Sequence, residues 1–172
     1  MKIRQERPTD YDKVYELLKI SFATVSHNDG TEQDYLNELR KKDTFIPELS
    51  FVVENDDGKI IGQIVLYKTN ITTSNGELTE LLLSPISVHP NFFRKGIARA
   101  MIEKSFSEAK KLGYKAVFVC GDSKIYKKFG FKPSYEYNIY HILDDSKEAE
   151  WSMVYELVER ALNDISGIVN TV

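Results

Sequence analysis

The order of the segments between Glu77 and Cys120 constrains the fold more than any other feature of the chain. Glu77 to Val88 is rich in β-forming residues, Ile97 to about Leu112 has apolar residues at helical spacing, and Lys115 to Cys120 is a nearly continuous apolar run. A strand, helix, strand order predicts a right-handed crossover and two parallel strands. Gly113 is the expected helix stop. The apolar stripe of this helix consists of Ile97, Met101, Ile102, Phe106 and Ala109.

The segments before and after this unit predict antiparallel strands and further helices. Ser50 to Glu54 and Lys59 to Leu66 are joined by Asn55-Asp56-Asp57-Gly58, whose Asp-Gly pair favours a tight hairpin. The sequence also predicts strands at Lys2 to Gln5, near Tyr135 to Ile142 and over Glu150 to Leu157, and a short helix over Ser123 to Phe129. A first N-terminal helix is capped by Thr9 or Asp10, and its apolar positions are Val14, Leu17, Leu18 and Phe22. A second helix begins at Thr31 and has Tyr35, Leu36 and Leu39 on one face. A break or bulge is expected at Ser84-Pro85, because proline cannot donate to a β-ladder.

The length and the cysteine content exclude several classes of protein. A chain of 172 residues predicts a single domain over residues 1–172. Its single cysteine, Cys120, cannot form an intramolecular disulfide, and no Cys/His spacing indicates a zinc site. The charged N-terminus lacks the apolar stretch of a signal peptide, and no apolar run approaches bilayer length. We therefore expect a cytoplasmic protein that binds no membrane.

Charge is distributed unevenly along the chain. Residues 88–132 contain eleven Lys/Arg and three acidic residues, although the whole chain has a net charge of -3. This imbalance indicates that the middle of the chain faces an anion, although a lysine-rich solvated helix would give the same count. A nucleic-acid-binding domain is a second interpretation, but the interleaved surface aromatics expected of one are weak here.

The segment Phe93-Arg94-Lys95-Gly96-Ile97-Ala98-Arg99 has the composition of an anion-binding turn. It joins a strand to the start of a helix, where the first main-chain N–H groups have no partner within the helix and the helix dipole is positive. Gly96 allows an anion to approach the main chain, and Arg94, Lys95 and Arg99 supply positive charge. Glycine at such a turn also serves tight packing alone. No Walker lysine followed by Ser/Thr and no complete Gly-x-Gly-x-x-Gly is present, which disfavours nucleoside triphosphates and dinucleotides.

These residues resemble the GNAT superfamily of acyl-CoA N-acyltransferases over nearly the whole chain. The family's pyrophosphate pattern, Gln/Arg-x-x-Gly-x-Gly/Ala, is similar to Phe93 to Ala98, with Phe93 departing from the usual first residue. Gly121-Asp122-x-x-x-Tyr126 and Phe129-Gly130-Phe131 resemble the family's downstream Tyr-x-x-x-Gly-Phe element, in a form most similar to the bacterial YhbS-like subgroup. The resemblance implies an α/β (α+β) fold: a mixed, mostly antiparallel sheet of six to seven strands with a central parallel pair and helices on both faces.

The resemblance also implies a cosubstrate, acetyl-CoA, and a reaction, direct transfer of an acetyl group to a primary amine without a metal. Main chain near Ile86 to Val88 would pair with the pantetheine arm and polarise the thioester carbonyl. Tyr126 would donate a proton to the departing thiolate. The implied cosubstrate contacts are Ile86, Ser87, Val88, Phe93, Arg94, Lys95, Gly96, Ile97, Ala98 and Arg99, together with Ser123, Tyr126 and Lys128.

The base that receives the amine proton is less defined. Glu80 shares strand parity with Leu82 and Ser84 and is our candidate, although a solvated strand carboxylate is an equally good interpretation. His89 is expected to order the turn before Pro90 or to lie near the cosubstrate. Cys120 is interpreted as a buried thiol, since direct transfer needs no acyl-enzyme.

The acceptor must be recognised by the N-terminal helices and by the loops around residues 70–75 and 144–150. These segments and the strand after the first loop carry the acidic residues Asp29, Glu32, Asp34, Asp43, Glu77, Glu80, Asp144, Asp145 and Glu148, which favour a cationic amine on a small molecule or peptide. Acidic residues of this kind also serve solubility alone. A non-catalytic acyl-CoA sensor is the alternative function. We expect a monomer or a homodimer.

Overall fold

The structure, a computed structural model, describes residues 1–25 and 29–172. Its strands are β1 Lys2–Gln5, β2 Ser50–Glu54, β3 Ile60–Thr73, β4 Gly76–Val88, β5 Ala116–Cys120, β6 Lys132–Pro133, β7 Ile139–His141, β8 Ser152–Glu156 and β9 Gly167–Asn170. Its helices are α1 Tyr11–Phe22, α2 Glu32–Leu39, α3 Ile97–Lys111 and α4 Ser123–Tyr126. The strand order is β1-β2-β3-β4-β5-β8-β6, and β9 pairs with both β3 and β7. This is the mixed α/β sheet that the sequence predicts.

The chain forms two compact units. The first comprises residues 1–66 and 84–108, and the second comprises residues 67–83 and 109–172. Both β3 and β4 contribute residues to each unit, because the divisions fall within these strands. Within the described ranges, no helix is long and apolar enough to cross a membrane.

In the first unit, β1, β2 and the beginning of β3 form an antiparallel sheet. Val52 of β2 lies between Arg4 of β1 and Gln63 of β3. The predicted hairpin is confirmed: the Asn55 N–H donates to the Lys59 carbonyl, and Gly58 adopts φ +75°. A positive φ is strained for residues with a Cβ, which explains glycine at this turn.

Most of the apolar positions predicted for the helices of the first unit are buried, although Phe22 is only half-buried. Val14, Leu17 and Leu18 of α1 are buried, as are Leu36 and Leu39 of α2. Tyr35, which we placed on the same face as Leu36 and Leu39, is instead exposed. Adjacent helical residues point about 100° apart, so Tyr35 cannot share the narrow buried face of this short helix.

Helix α3 packs closely against β3. All five residues of its predicted stripe are buried. A Cβ added to Gly62 of β3 would lie 3.2 Å from side-chain atoms of Ile97, Met101 and Val53. Glycine at this position therefore permits the close approach that fixes the start of α3. The helix ends as predicted, with Gly113 at φ +93° donating to the Lys110 carbonyl.

The second unit contains the predicted parallel pair. Leu81 and Leu82 of β4 pair with Val117 and Phe118 of β5, and β8 continues the sheet antiparallel to β5. The predicted break at Ser84-Pro85 is not present as an interruption, because β4 continues to Val88, with a cis peptide bond before Pro85.

The C-terminal part of the second unit differs most from the sequence prediction. We expected a strand near Tyr135 to Ile142, but Ser134–Tyr137 form a 3-10 turn, and only Ile139–His141 form β7. Asn138 between them has φ +59°, a conformation that ends the turn and that asparagine tolerates better than most residues. The partner of β7 is β9, which the sequence analysis did not predict.

Candidate active site

The segment Phe93–Arg99, which we call the anion loop, reverses the chain between β4 and α3. Arg94 and Gly96 adopt positive φ angles of 59° and 77°. The Ala100 N–H donates to the Gly96 carbonyl at 3.0 Å, so the N–H groups of Ile97 and Ala98 belong to the first turn of α3, where the helix itself supplies no acceptor. A Cβ added to Gly96 would meet no atom within 4 Å. The space beside Gly96 on its Cβ side is therefore open.

The side chains of the anion loop differ in their exposure. Arg94, Lys95, Gly96 and Arg99 are exposed, and the Lys95 ammonium lies 5.2 Å from the centre of the Phe92 ring. Ile97 is 3% exposed, so only its main chain can contact a ligand. Phe93 is 49% exposed and carries no hydrogen-bonding side-chain atom, which leaves binding to the main chain and the three cations.

The final residues of β4 have a defined orientation relative to β3. The His89 N–H donates to the Ile61 carbonyl of β3 at 2.8 Å. Because main-chain groups alternate between the two edges of a strand, Ser87 presents its N–H to the same edge as His89, and Ile86 and Val88 present theirs to the other edge. The N–H groups of Ile86 and Val88 thus point away from β3, whereas that of Ser87 points toward β3.

Three hydrogen bonds hold this end of β4. The Ser21 hydroxyl of α1 donates to the Val88 carbonyl at 3.1 Å. Gln63 of β3 donates its side-chain amide to the Pro85 carbonyl at 3.3 Å and accepts from the Ser87 hydroxyl at 3.4 Å. Neither Ser21 nor Gln63 was predicted from the sequence. The available signal was a glutamine at the centre of the apolar run Ile60 to Leu66, which predicts a buried amide in need of partners.

Tyr126 lies against the end of β5 in the second unit. A Cβ added to Gly121 would be 2.7 Å from Cε2 of Tyr126, so glycine is required for the ring to lie on this part of the main chain. The other side of the ring packs edge-on against Phe131, with ring centres 5.7 Å apart. Burial is the main cause that raises the pKa of Tyr126 to about 12, with the nearby Cys120 as a smaller cause. The phenol therefore remains protonated at neutral pH.

The other predicted contacts of this segment are on or beside α4. Asp122 caps the helix by accepting from the Lys124 N–H at 2.9 Å. Ser123 begins α4 and is half-buried, and Lys128 is exposed in the 3-10 turn that follows.

The structure does not bring Glu80 and Tyr126 together. One carboxylate oxygen of Glu80 accepts from the N–H groups of Lys115 and Ala116, at 2.9 and 3.1 Å. These residues mark the beginning of β5, whereas Tyr126 contacts Gly121, at its end, roughly 16 Å away at the rise of a β-strand. Burial raises the pKa of Glu80 and its two main-chain bonds oppose that rise. The geometry gives Glu80 a structural role in joining β4 to β5.

Cys120 is exposed at the end of β5, which corrects our expectation of a buried thiol. Its sulfur lies 3.6 Å from the Thr171 hydroxyl, which in turn lies 2.7 Å from Nε2 of His141. Nδ1 of His141 accepts from the Leu143 N–H, so Nε2 carries the proton and donates to Thr171. This imidazole has no free acceptor for a proton from Cys120, and partial burial raises the pKa of the thiol. An acyl-cysteine is therefore disfavoured.

His89 and several acidic residues have local structural roles. The Asn91 N–H donates to Nδ1 of His89 at 3.2 Å, which orders the turn as expected. Asp29 accepts from Thr31 at the start of α2, and Asp144 accepts from Ser146, Lys147 and Ala149 in its own loop. Among residues 1–25 and 29–172, no group of three His, Cys, Asp or Glu side chains is placed to hold a metal ion.

Comparison with known proteins gives consistent matches. A family model described as an acetyltransferase (GNAT) domain matches residues 2–134, which include the anion loop and Tyr126. The uncharacterized N-acetyltransferase YhbS of Escherichia coli K12 is 27% identical over 169 residues, covering 98% of this chain and 95% of the relative. The crystal structure of YhbS from Escherichia coli in complex with CoA has a TM-score of 0.84 at 25% identity, covering 98% of this chain and 88% of that one. A GNAT acetyltransferase from Brucella melitensis in complex with acetyl-CoA shares the fold, with a TM-score of 0.75 at 23% identity and coverage of 98% and 93%.

Proposed function

Because the chain belongs to the GNAT acetyltransferase family, we propose that it transfers an acetyl group from acetyl-CoA directly to a primary amine of a small molecule or peptide. The reaction forms an amide bond and breaks the thioester bond, and the amine loses one proton while the sulfur of CoA gains one. The similar proteins YhbS and the Brucella enzyme were crystallised with CoA and acetyl-CoA, which supports this cosubstrate.

The observation that carries the proposal is the geometry of the anion loop. The first main-chain donors of α3 have no acceptor within the helix, the space beside Gly96 is open, and Arg94, Lys95 and Arg99 are exposed. A diphosphate is the part of acetyl-CoA that such a site binds, because helix N-termini and positive side chains both stabilise phosphate. We assign the diphosphate to residues 93–99.

The end of β4 would bind the pantetheine arm and the thioester. The N–H groups of Ile86 and Val88 point to the edge opposite β3 and are therefore directed toward a ligand that adds to that edge. A main-chain N–H at this position would also stabilise the negative charge that develops on the carbonyl oxygen, an interaction typically worth about 10²–10³ in rate.

Tyr126 is the proposed donor to the departing sulfur. A free thiol ionises near pH 8.5, so the thiolate is a weaker base than a phenolate of pKa about 12. Tyr126 consequently stabilises the developing thiolate by hydrogen bonding and keeps its own proton. The proton that the sulfur gains is, in the net reaction, the one that the amine loses. Ser123 and Lys128 are further proposed contacts of the cosubstrate, assigned by the family resemblance.

The test is release of free CoA from acetyl-CoA with a panel of amines, amino acids and peptides. We expect amine-dependent release that falls roughly 10- to 100-fold in Tyr126→Phe, because a hydrogen bond to a charged group contributes about 1.5–3 kcal/mol. Tyr15→Phe is the matched control, since it removes the phenol that donates to Asp34 at 2.9 Å in the first unit. CoA binding without release by any acceptor would support the sensor instead.

The acceptor, the oligomeric state and the location of the protein remain predictions. A cationic amine, a monomer or homodimer, and the cytoplasm are the expectations we retain. A KM for the acceptor that rises with salt concentration would support the cationic preference.

A further inference from the structure

Gln63 is an unusual residue in the strand where it lies. It follows Gly62 and precedes Ile64 and Val65 in β3, and its side chain is 1% exposed. Burying an amide without partners costs free energy, and an aliphatic side chain at the same place would avoid that cost. Its hydrogen bonds therefore need an explanation beyond filling the core.

Both bonds of the Gln63 amide are directed to one segment of β4. The side-chain NH₂ donates to the Pro85 carbonyl, and the side-chain carbonyl accepts from the Ser87 hydroxyl. Ser87 is itself only 6% exposed. The carbonyl of Pro85 can only accept, so this orientation of the amide is fixed by the chemistry of its partners.

Pro85 and Ser87 are the two neighbours of Ile86. Proline has no main-chain N–H, so β4 lacks one donor to its neighbouring strand at Pro85. The side-chain amide of Gln63 provides a hydrogen bond between β3 and β4 at this residue. The Pro85 carbonyl and the Ile86 N–H belong to one planar peptide group and point in opposite directions. The bond from Gln63 to this carbonyl therefore favours the orientation in which the Ile86 N–H faces away from Gln63. The Gln63 amide thus fixes the orientation of the N–H group at the proposed thioester site without touching the cosubstrate.

We propose that Gln63 is a positioning residue that orients the main chain of Ile86 for polarising the thioester carbonyl of bound acetyl-CoA. This inference rests on the proposed function. It separates the two parts of the site: the anion loop determines affinity for the cosubstrate, and Gln63 determines how strongly the bound carbonyl is activated.

Two substitutions test this role. Gln63→Leu removes both hydrogen bonds at similar volume, and we expect kcat to fall about 10- to 100-fold, because small misplacements at a reacting centre have effects of this size. The Kd of acetyl-CoA should change less than about 3-fold. Gln63→Glu keeps the shape but, when ionised, cannot donate to the Pro85 carbonyl. Protonation restores that donor, and burial favours the protonated acid.

The expected signature is a pH-dependent rescue. The ratio of kcat in Gln63→Glu to that of the natural protein should rise as pH falls, while the ratio for Gln63→Leu stays constant. Ser105→Ala is the control: it removes a buried hydroxyl that donates to Ile102 at 3.1 Å within α3, and it should alter stability without altering kcat.

A second measurement does not depend on turnover. The infrared band of ¹³C-labelled acetyl-CoA should shift to lower frequency when the thioester binds the natural protein, and Gln63→Leu should abolish most of that shift. An equal shift and equal kcat in both proteins would overturn the role of Gln63 and leave the proposed function intact. Another outcome is that the natural protein binds acetyl-CoA and shifts its infrared band without acetylating any amine. In that case the proposed function would fail, and the infrared comparison with Gln63→Leu would still decide the role of Gln63. Failure of acetyl-CoA to bind would overturn both.

Discussion

Gly96 provides the sharpest test of the anion loop, through the substitution Gly96→Ala. The residue has φ +77°, a conformation that costs a residue with a Cβ roughly 1–2 kcal/mol. A Cβ at this position would meet no atom within 4 Å, so the free protein gains strain but no clash. We therefore expect the free energy of unfolding to fall by about 1–2 kcal/mol, with the fold retained.

Gly96→Ala should also weaken CoA binding, and this increase in Kd is separate from the loss of folding stability. We propose that a phosphate binds the main-chain donors beside Gly96, and a methyl group there would take up part of the open space. A hydrogen bond to a charged group contributes about 1.5–3 kcal/mol, so losing one corresponds to roughly a 10- to 100-fold increase in Kd. Isothermal titration calorimetry with CoA measures this directly.

Gly58 supplies a matched control. It has φ +75° and also has no atom within 4 Å of an added Cβ, but it lies in the β2–β3 hairpin. Gly58→Ala should show the same loss of stability in a denaturant titration and an unchanged Kd for CoA. Equal CoA affinities of the two variants would refute the assignment of the diphosphate to the anion loop.

Three further predictions follow from the site and its packing. Burial raises the pKa of Tyr126 to about 12, so its phenol should remain a hydrogen-bond donor at pH 10, where an ordinary tyrosine ionises. The rate advantage of the natural protein over Tyr126→Phe should therefore persist to about pH 11. A loss of that advantage near pH 10 would contradict the raised pKa. Glu80→Ala should lower the free energy of unfolding by about 1–3 kcal/mol, because two main-chain N–H groups lose their acceptor. Glu80→Gln should restore that stability and keep kcat within about 3-fold of the natural value. A folded Glu80→Gln variant without activity would reinstate Glu80 as the base. Gly62→Ala should lower the free energy of unfolding by about 1–3 kcal/mol, because the added methyl group overpacks against Ile97, Met101 and Val53. The change is measurable as a lower Tm. An unchanged Tm would show that α3 can move away from β3 without cost.

Local signals in the sequence account for the features that were predicted correctly. The stripe of α3, its stop at Gly113 and the Asp57-Gly58 turn each depend on residues close together in the chain. The turn before α3 belongs to the same class, since its conformation depends on a glycine at the start of the helix, whereas its binding of an anion stays a prediction.

Other features depend on pairings between distant segments, which the sequence does not reveal. Glu80 has suitable chemistry for a base, but only the register of Leu81 with Val117 shows that it lies at the opposite end of β5 from Tyr126. Gln63 was missed for the same reason, because its partners Pro85 and Ser87 are more than twenty residues away. Strand β9 has four residues and its position depends on β3 and β7, so its own sequence carries little signal.

The most direct test of the account is an NMR titration of the ¹⁵N-labelled protein with CoA. We expect saturable shifts concentrated in the main-chain amides of residues 94–99, with smaller shifts at Ile86 and Val88. Amide signals of residues 94–99 that stay unchanged at saturating CoA would contradict the claim that this loop binds the diphosphate.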